Sequence, residues 1–400
     1  MNEFTKTWVP KEGETIMKKE PMSLVIAEIF EEIAQGLETN AFGKKIRVGL
    51  TILGSEHGPE ELVRGGELAQ ALNPDIQVVL LGHGVQTQLE IVAASDEKEA
   101  HALMDEMLLN HNLDAAVTMH YSFPIGVSTV GRVITPAKGK EMYLATTTGT
   151  SATDRVPAML RNTVYGIAVA KACGKTNPTV GILNIDGARQ LERALKKLKE
   201  GGYPITFTES ARADGGLVMR GNDLLMGGPD IMVQDSLTGN VLMKVFSAYS
   251  TGGNYEASGY GYGPGVGEDF NRIICIISRA SGAPVISGAI RLAADCAKGN
   301  LIEQTKAELA AAKKAGWDDL LQSVGQGTQI SKEAQISPPK KPVTDSISGV
   351  DVMQLEDAVQ ALWRDNIYAE CGMGCTGPIV LIAPEDRQKS IETLRKNEFI

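Results

Sequence analysis

Aromatic residues are scarce in this 400-residue chain, at 5%, and its 39 basic side chains fall short of its 49 acidic ones. The resulting net charge of −10 argues against a general binder of nucleic acid or of anionic membrane, since both need a positive footprint. An anionic substrate would have to be met by a local basic pocket. No stretch nears the ~18 consecutive apolar residues of a spanning helix, and no apolar signal-peptide core follows the first basic residues. The five cysteines are too few for a disulfide framework, and their odd number leaves at least one thiol unpaired. All five histidines (57, 83, 101, 111 and 120) lie in the first third of the chain, far from the Cys371/Cys375 pair, so neither a closed tetrahedral zinc site nor any other metal site is expected. No dinucleotide fingerprint is present, and no cofactor is expected. These exclusions leave a cytoplasmic protein as the expectation.

What is present is glycine, 43 residues against a usual ~7%, together with a regular alternation of short apolar runs and helical patterns. Strands are predicted at 46–53, 76–81, 114–119, 141–146, 179–184, 205–208, 230–233 and 272–278. Helices are predicted at 60–72, 98–111, 155–173 and 189–200. This rhythm is that of βαβ units and a mostly parallel sheet, in which ligands gather at the carboxyl ends of strands. A break in periodicity over 120–150 is read as a boundary between two lobes. Residues 1–40 read as a polar arm and an amphipathic helix over 22–37, residues 41–322 as a two-lobed α/β core, residues 323–349 as a proline-bearing linker, and residues 350–400 as a small β/α appendage.

Several segments carry candidate chemistry. Gly54-Ser-Glu-His-Gly-Pro59 follows the first strand and opens the first helix, where doubly wound folds place anions; Ser55 and His57 are its candidate donors. Glu209-Ser-Ala-Arg-Ala-Asp-Gly-Gly216 and Arg220 put Arg212 and Arg220 at a strand end, suited to bidentate phosphate contacts. In Asp230–Lys244 a buried strand stops at Gln234 and Asp235, and Ser236, Thr238 and Asn240 then start a helix that carries Lys244. Free N–H groups at such a helix start with a nearby lysine would suit an oxyanion; an ordinary capped turn fits the same spacing. Gly252–Gly267 packs seven glycines into sixteen positions, a density expected only of a loop, whether one that lines or covers a ligand site or a flexible surface loop, with Tyr255, Tyr260 and Tyr262 suggesting packing. Cys371 and Cys375 stand in a glycine-rich turn whose exposed N–H groups would lower a thiol pKa, the mark of a nucleophilic or acyl-carrying sulfur. Cys173, Cys275 and Cys296, among apolar neighbours, read as inert core thiols.

These residues resemble known families at two levels. Gly221-Asn-Asp-Leu-Leu through Thr238-Gly-Asn-Val-Leu-Met-Lys244, Gly54–Pro59 and Gly181-Ile-Leu-Asn-Ile-Asp-Gly187 resemble the phosphate acyltransferases of phospholipid synthesis. That resemblance spans about 46–295 and implies a three-layer α/β/α fold shared with phosphotransacetylases. Glu209–Gly216, Gly259-Tyr-Gly-Tyr-Gly-Pro-Gly265 and Ala369-Glu-Cys-Gly-Met-Gly-Cys-Thr-Gly-Pro378 more closely resemble the alpha subunits of component C of glycine/sarcosine/betaine reductase complexes. The acyltransferases lack the cysteine-bearing tail, and their Gly-Phe before Thr-Gly-Asn stands here as Ser236-Leu237.

The closer resemblance implies an acetyl thioester, derived from the carboxymethyl-selenoether of selenoprotein A, that inorganic phosphate cleaves to acetyl phosphate. It implies a beta subunit, selenoprotein A and phosphate as partners in a hetero-oligomer, with neither nucleic acid nor membrane among them. Cys371 or Cys375 would carry the acyl group. Lys244 and Asn240 would act in catalysis, while Arg212, Arg220, Thr238, Gly239, Ser55 and His57 would surround phosphate and oxyanion. Asp223 and Asp235 would orient the cations or simply cap helices. A free-standing phosphate acyltransferase or phosphotransacetylase, and a non-catalytic scaffold, are the alternatives.

Overall fold

The computed structural model describes residues 30, 33, 44–212, 215–325, 337–351, 354–374 and 377–400. Residues 1–45 form one unit and Ile46–Ile400 another; the helix expected over 22–37 lies outside the described residues except for Phe30 and Ile33, both helical.

The second unit begins with strand–helix alternation: β1 (Ile46–Thr51), α1 (Pro59–Leu72), β2 (Ile76–Leu81), β3 (Glu90–Val92), α2 (Glu97–Leu109) and β4 (Ala115–Thr118). It continues through β5 (Val127–Ile134), β6 (Glu141–Thr150), α3 (Arg155–Ala172), β7 (Thr179–Leu183), α4 (Ala188–Glu200), β8 (Thr206–Phe207), β9 (Val218–Met219) and α5 (Gly221–Met226). Then come β10 (Ile231–Val233), α6 (Ser236–Ala248), β11 (Gly263–Val266), β12 (Ile274–Ile276), α7 (Ala283–Lys298), α8 (Leu301–Lys314) and α9 (Trp317–Gly325). Local chemistry sets several ends. Pro59 opens α1, where its missing N–H costs nothing, and the Asp96 carboxylate caps α2 by accepting from Glu99 N at 2.8 Å.

The strands form one sheet in the order β3-β2-β1-β4-β12-β11-β5-β6-β10-β7-β8, with β9 also on β7. Within β3-β2-β1-β4-β12 every pairing is parallel, as it is within β6-β10-β7 and its two edge strands. Three antiparallel pairings (β12–β11, β11–β5 and β5–β6) join these halves, so their parallel strands run in opposite directions. Alternate side chains of each strand enter two apolar cores. Val48, Leu50, Val78 and Val180 face α1, α3, α4, α7 and α8. Val79, Leu81, Met232 and Ile274 face α2, α5 and α6. The result is a three-layer α/β/α arrangement in which each fully buried aliphatic side chain contributes about 1.5–3 kcal/mol.

The expectation that Gly252–Gly267 is only a loop is corrected here: its last part is β11, the strand that bridges the halves. Glycine density, ordinarily hostile to a strand, is what this position requires. A Cβ on Gly263 (φ +86°) would lie 1.8 Å from Val130 O, and one on Gly265 would lie 2.3 Å from the Phe123 ring. Only a bare backbone fits between β12 and β5.

The C-terminal part consists of β13 (Asp345–Ser348), α10 (Leu355–Arg364), β14 (Ala369–Gly374), β15 (Gly377–Ile382) and α11 (Arg387–Lys396), with sheet order β13-β15-β14 and its own core around Leu362, Val380 and Leu394. Strand β13 falls in the stretch read from the sequence as linker, of which residues 326–336 lie outside the described residues. The appendage docks on α4, where Arg193 donates to Gln354 Oε1 at 2.6 Å and to Phe399 O at 3.3 Å, and Lys197 pairs with Glu398. No helix among the described residues is long and apolar enough to cross a membrane.

Candidate functional site

Two clefts meet where the carboxyl ends of β4, β12 and β6 converge. The first, about 390 Å³, has a polar side of His120, Thr148, Thr150, Asn240 and Ser278 and an apolar side that includes Phe123, Ile125, Tyr262 and Ile276. The second, about 360 Å³, is lined by Ser151, Asp154, Arg155, Asn162, Asp235, Ser236 and Leu237 among others, and shares Gly149 and Thr150 with the first. Each has the size of a small-molecule site.

The shared wall is the threonine-rich end of β6, and its own hydrogen bonds hold it. Thr146 Oγ1 donates to Thr129 O at 2.5 Å, Thr147 Oγ1 donates to Tyr262 O at 2.6 Å, and Thr148 N donates to Thr129 Oγ1 at 3.0 Å. Gly149 has φ +83°, and a Cβ there would lie 2.7 Å from Val127 O. Behind His120, Thr118 Oγ1 accepts from Thr51 Oγ1 at 2.8 Å and lies 2.9 Å from His101 Nε2. Burial is the main cause holding the His101 imidazole below its ordinary pKa.

The start of α6 abuts this wall. Asp235 is its N-cap, accepting from Thr238 N at 2.9 Å and from Thr238 Oγ1 at 3.1 Å. A Cβ on Gly239 would lie 1.7 Å from Thr146 O, so only glycine lets the first turn sit against β6. Gln234, fully buried, donates from Nε2 to the same carbonyl at 2.9 Å, and its Oε1 has no hydrogen-bond partner. The turn therefore divides its work: Thr238 serves the cap, Gly239 the contact, and Asn240 faces the first cleft. An anion at this helix start meets the Asp235 carboxylate, which weakens the electrostatic case for phosphate there.

The cations expected around phosphate are not gathered at these clefts. Lys244 sits two turns farther along α6 with Nζ 3.1 Å from Glu256 Oε1. The Glu256 side chain is 0% exposed, and its other oxygen accepts from Ser281 Oγ at 2.6 Å, so Lys244 compensates a buried carboxylate. Arg212 and Arg220 belong to a hub around Asp223, which accepts from Ser210 Oγ at 2.7 Å and from Ala211 N and Arg220 N at 3.0 Å. Burial pushes that carboxyl up, but these bonds and the Arg212 charge together hold it below its ordinary value. Arg212, Arg220 and Lys244 line neither cleft. The cation present is Arg155, on the second cleft, 3.2 Å from Asp186.

Ser55 and His57 also lie outside both clefts. His57 N donates to Ser55 Oγ at 3.1 Å, Glu56 N donates to Arg279 O at 2.9 Å, and the His57 ring tilts onto Tyr255. Their turn braces the segment after Ser278. Cys371, on β14, is exposed, and its thiol is pushed up by partial burial and by the Glu356 charge. This corrects the lowered pKa expected from the glycine-rich turn: a carboxylate, not a cation, influences the sulfur. Cys375 lies outside the described residues. No described residue of the appendage lines either cleft.

Sequence reasoning missed His120, Thr148, Thr150, Arg155 and Ser278. The one available signal was the run Thr146-Thr-Thr-Gly-Thr150 at a strand end, where polar hydroxyls replace the apolar side chains that a buried strand would continue.

The family described as "Fatty acid synthesis protein" matches residues 46–381. The chain is 56% identical over 373 residues to the glycine/sarcosine/betaine reductase complex component C subunit alpha of Peptoclostridium acidaminophilum, covering 93% of this chain and 97% of that one. It is 23% identical over 241 residues to the phosphate acyltransferase of Geobacillus thermodenitrificans, covering 50% of this chain and 70% of that one. A branched-chain phosphotransacylase from Enterococcus faecalis superposes with a TM-score of 0.45 at 18% identity, over 63% of this chain and 99% of that one.

Proposed function

This chain belongs to the fatty acid synthesis protein family, alongside the component C alpha subunits of glycine/sarcosine/betaine reductase complexes, and we propose that it moves an acetyl group from a thioester to inorganic phosphate. The observation that carries this reading is the pair of clefts sharing Gly149 and Thr150. The first offers an apolar wall for a two-carbon acyl group, with the Asn240 amide and threonine hydroxyls beside it. The second offers Arg155 to a phosphate.

In the reaction a phosphate oxygen attacks the thioester carbonyl, the C–S bond breaks, and the sulfur leaves as thiolate while acetyl phosphate forms. Atoms and charge balance without ATP because the thioester is already activated. The protein must hold the two reactants in register and stabilise the tetrahedral oxyanion; we assign Asn240, with Thr148 and Thr150, to the oxyanion. Arg155 offsets the phosphate charge when it turns from Asp186. Gly239 sets the placement of Asn240, while Lys244, Asp223 and Asp235 hold the surrounding backbone.

We assign the thioester to the tail pair Cys371 and Cys375, its acyl group coming from the carboxymethyl-selenoether of selenoprotein A with the beta subunit as partner. Labelled acetyl phosphate should leave a hydroxylamine-sensitive label on the tail. A label that survives Cys371→Ala/Cys375→Ala would rule out this carrier. One observation favours a second reading: no described residue of the appendage lines either cleft, which suits a thioester delivered from solution. In that case a chain ending at residue 336 keeps full phosphorolysis of a small thioester, whereas the tail-carried reaction is abolished by the same truncation.

A further inference from the structure

Three of the five cysteines take no part in the proposed chemistry, and they gather in one place. Cys173 caps the end of α3, Cys296 lies in the last turns of α7, and their sulfurs are 3.9 Å apart. The two helix ends touch: a Cβ on Gly299, just past α7, would lie 1.8 Å from Ala172 O. Helix α3 packs on β6 and β10, whereas α7 packs on β1, β4 and β12. The sulfur pair therefore straddles the junction between the two halves of the sheet.

The surroundings favour a thiolate at one of the two sulfurs. Arg132 is 5% exposed, lies 3.7 Å over the Tyr260 ring and 3.4 Å from Asp295, and its buried Nε has no hydrogen-bond partner. A bond from the Cys296 thiol, the Arg132 charge and a bond from Tyr143 together lower the Cys173 pKa against the cost of burial, while Cys296 is pushed up. Cys173 is partly buried and Cys296 wholly buried, so Cys173 is the sulfur nearer solvent and Cys296 the one behind it, placed to resolve the product.

We propose that Cys173 and Cys296 are a disulfide-forming pair that reacts with low-molecular-weight disulfides and, when oxidised, clamps the two halves of the molecule together. The Cys173 thiolate attacks a disulfide RSSR, forms Cys173–S–SR and releases RS⁻. Cys296 loses its proton, attacks the Cys173 sulfur and expels the second RS⁻. The two cysteines give up two electrons and two protons, and RSSR becomes two RSH. Closure from 3.9 Å to the ~2.05 Å of a disulfide asks for a small movement of both helix ends. The bond would enclose a chain separation of 123 residues.

The test uses the full-length protein, first reduced, then equilibrated with oxidised glutathione, alkylated, digested and mapped by mass spectrometry. The expected result is a cross-linked pair of peptides containing Cys173 and Cys296, with a melting temperature raised by several degrees (order of magnitude from loop closure) and returned by dithiothreitol. Cys296→Ala should stop at glutathione bound to Cys173 and show no rise. Recovery of both residues as free thiols, a cross-link confined to other cysteines, or a Cys173–Cys296 cross-link with an unchanged melting temperature would each overturn the proposal.

Discussion

Replacing Gly239 with alanine tests how the first turn of α6 is held, and the expected effect can be worked from the geometry. In a helix alanine is better than glycine by about 0.8–1.0 kcal/mol, so propensity alone predicts a gain. The added Cβ, however, would lie 1.7 Å from Thr146 O and 2.9 Å from Gln234 Nε2, where ordinary contacts begin near 3.5 Å. The helix start must retreat by about 1.5 Å or more. Overpacking of this kind costs about 1–3 kcal/mol, and loss of the buried Gln234–Thr146 bond adds about 1–3 kcal/mol. Against the propensity gain the net is a destabilisation of about 1–5 kcal/mol. The same shift carries Asn240 away from the first cleft, and displacements near 1 Å are worth about 100-fold in rate. Urea denaturation and acyl phosphate formation, trapped as the hydroxamate, measure the two effects. Wild-type values for both would refute the packing argument; lost stability with full activity would refute the role of Asn240.

The remaining predictions concern charges. Lys244→Met strands the buried Glu256 and should cost about 1–3 kcal/mol, less than a wholly buried pair because Lys244 is 38% exposed; Lys244→Met/Glu256→Gln should recover most of it. Unchanged stability with a raised KM for phosphate would instead return Lys244 to the phosphate site. Asp223→Asn should cost about 1–3 kcal/mol at neutral pH. Because the folded carboxyl sits below its ordinary 3.8, its stabilisation is complete above that value and is lost as pH falls through the lower folded value. The gap between variant and wild type in denaturation should close below pH ~4; a constant gap to pH 2 would contradict this. Cys371, whose thiol is pushed up, should alkylate at neutral pH more slowly than a free cysteine, and Glu356→Gln should move its pH–rate curve toward lower pH. No displacement would show that Glu356 does not influence the sulfur.

The alternation of β1, α1, β2 and α2 could be read from the sequence because each strand is a short apolar run and each helix has one apolar face, periods that tertiary context does not disturb. Strand β11 could not: local propensity forbids Gly-Pro-Gly-Val in a central strand, and the steric demand that overrides propensity comes from Val130 and Phe123, far away in sequence. Helix α7 was missed although it has an apolar face, because Gly282, Pro284 and Gly288 in and just before its first turns are residues that punctuate loops. At the site, Thr238, Gly239 and Asn240 were recognised as a group, but their separate tasks depend on the Thr146 carbonyl and on Asp235. Lys244 and the two arginines were expected at phosphate because their positive charge is visible in a sequence, whereas the carboxylates that engage them, Glu256 and Asp223, declare their burial only in three dimensions.

The most direct measurement is the rate at which the assembled complex forms acetyl phosphate from an acetyl thioester and labelled phosphate, compared between wild type and Asn240→Ala, whose exposed side chain can be cut back without disturbing the fold. Acyl transfer in the cleft beside β6 predicts product formation by the wild type and a loss of about 100-fold or more in the variant, the size seen when one oxyanion donor is removed, with unchanged denaturation. A variant as fast as the wild type would contradict it.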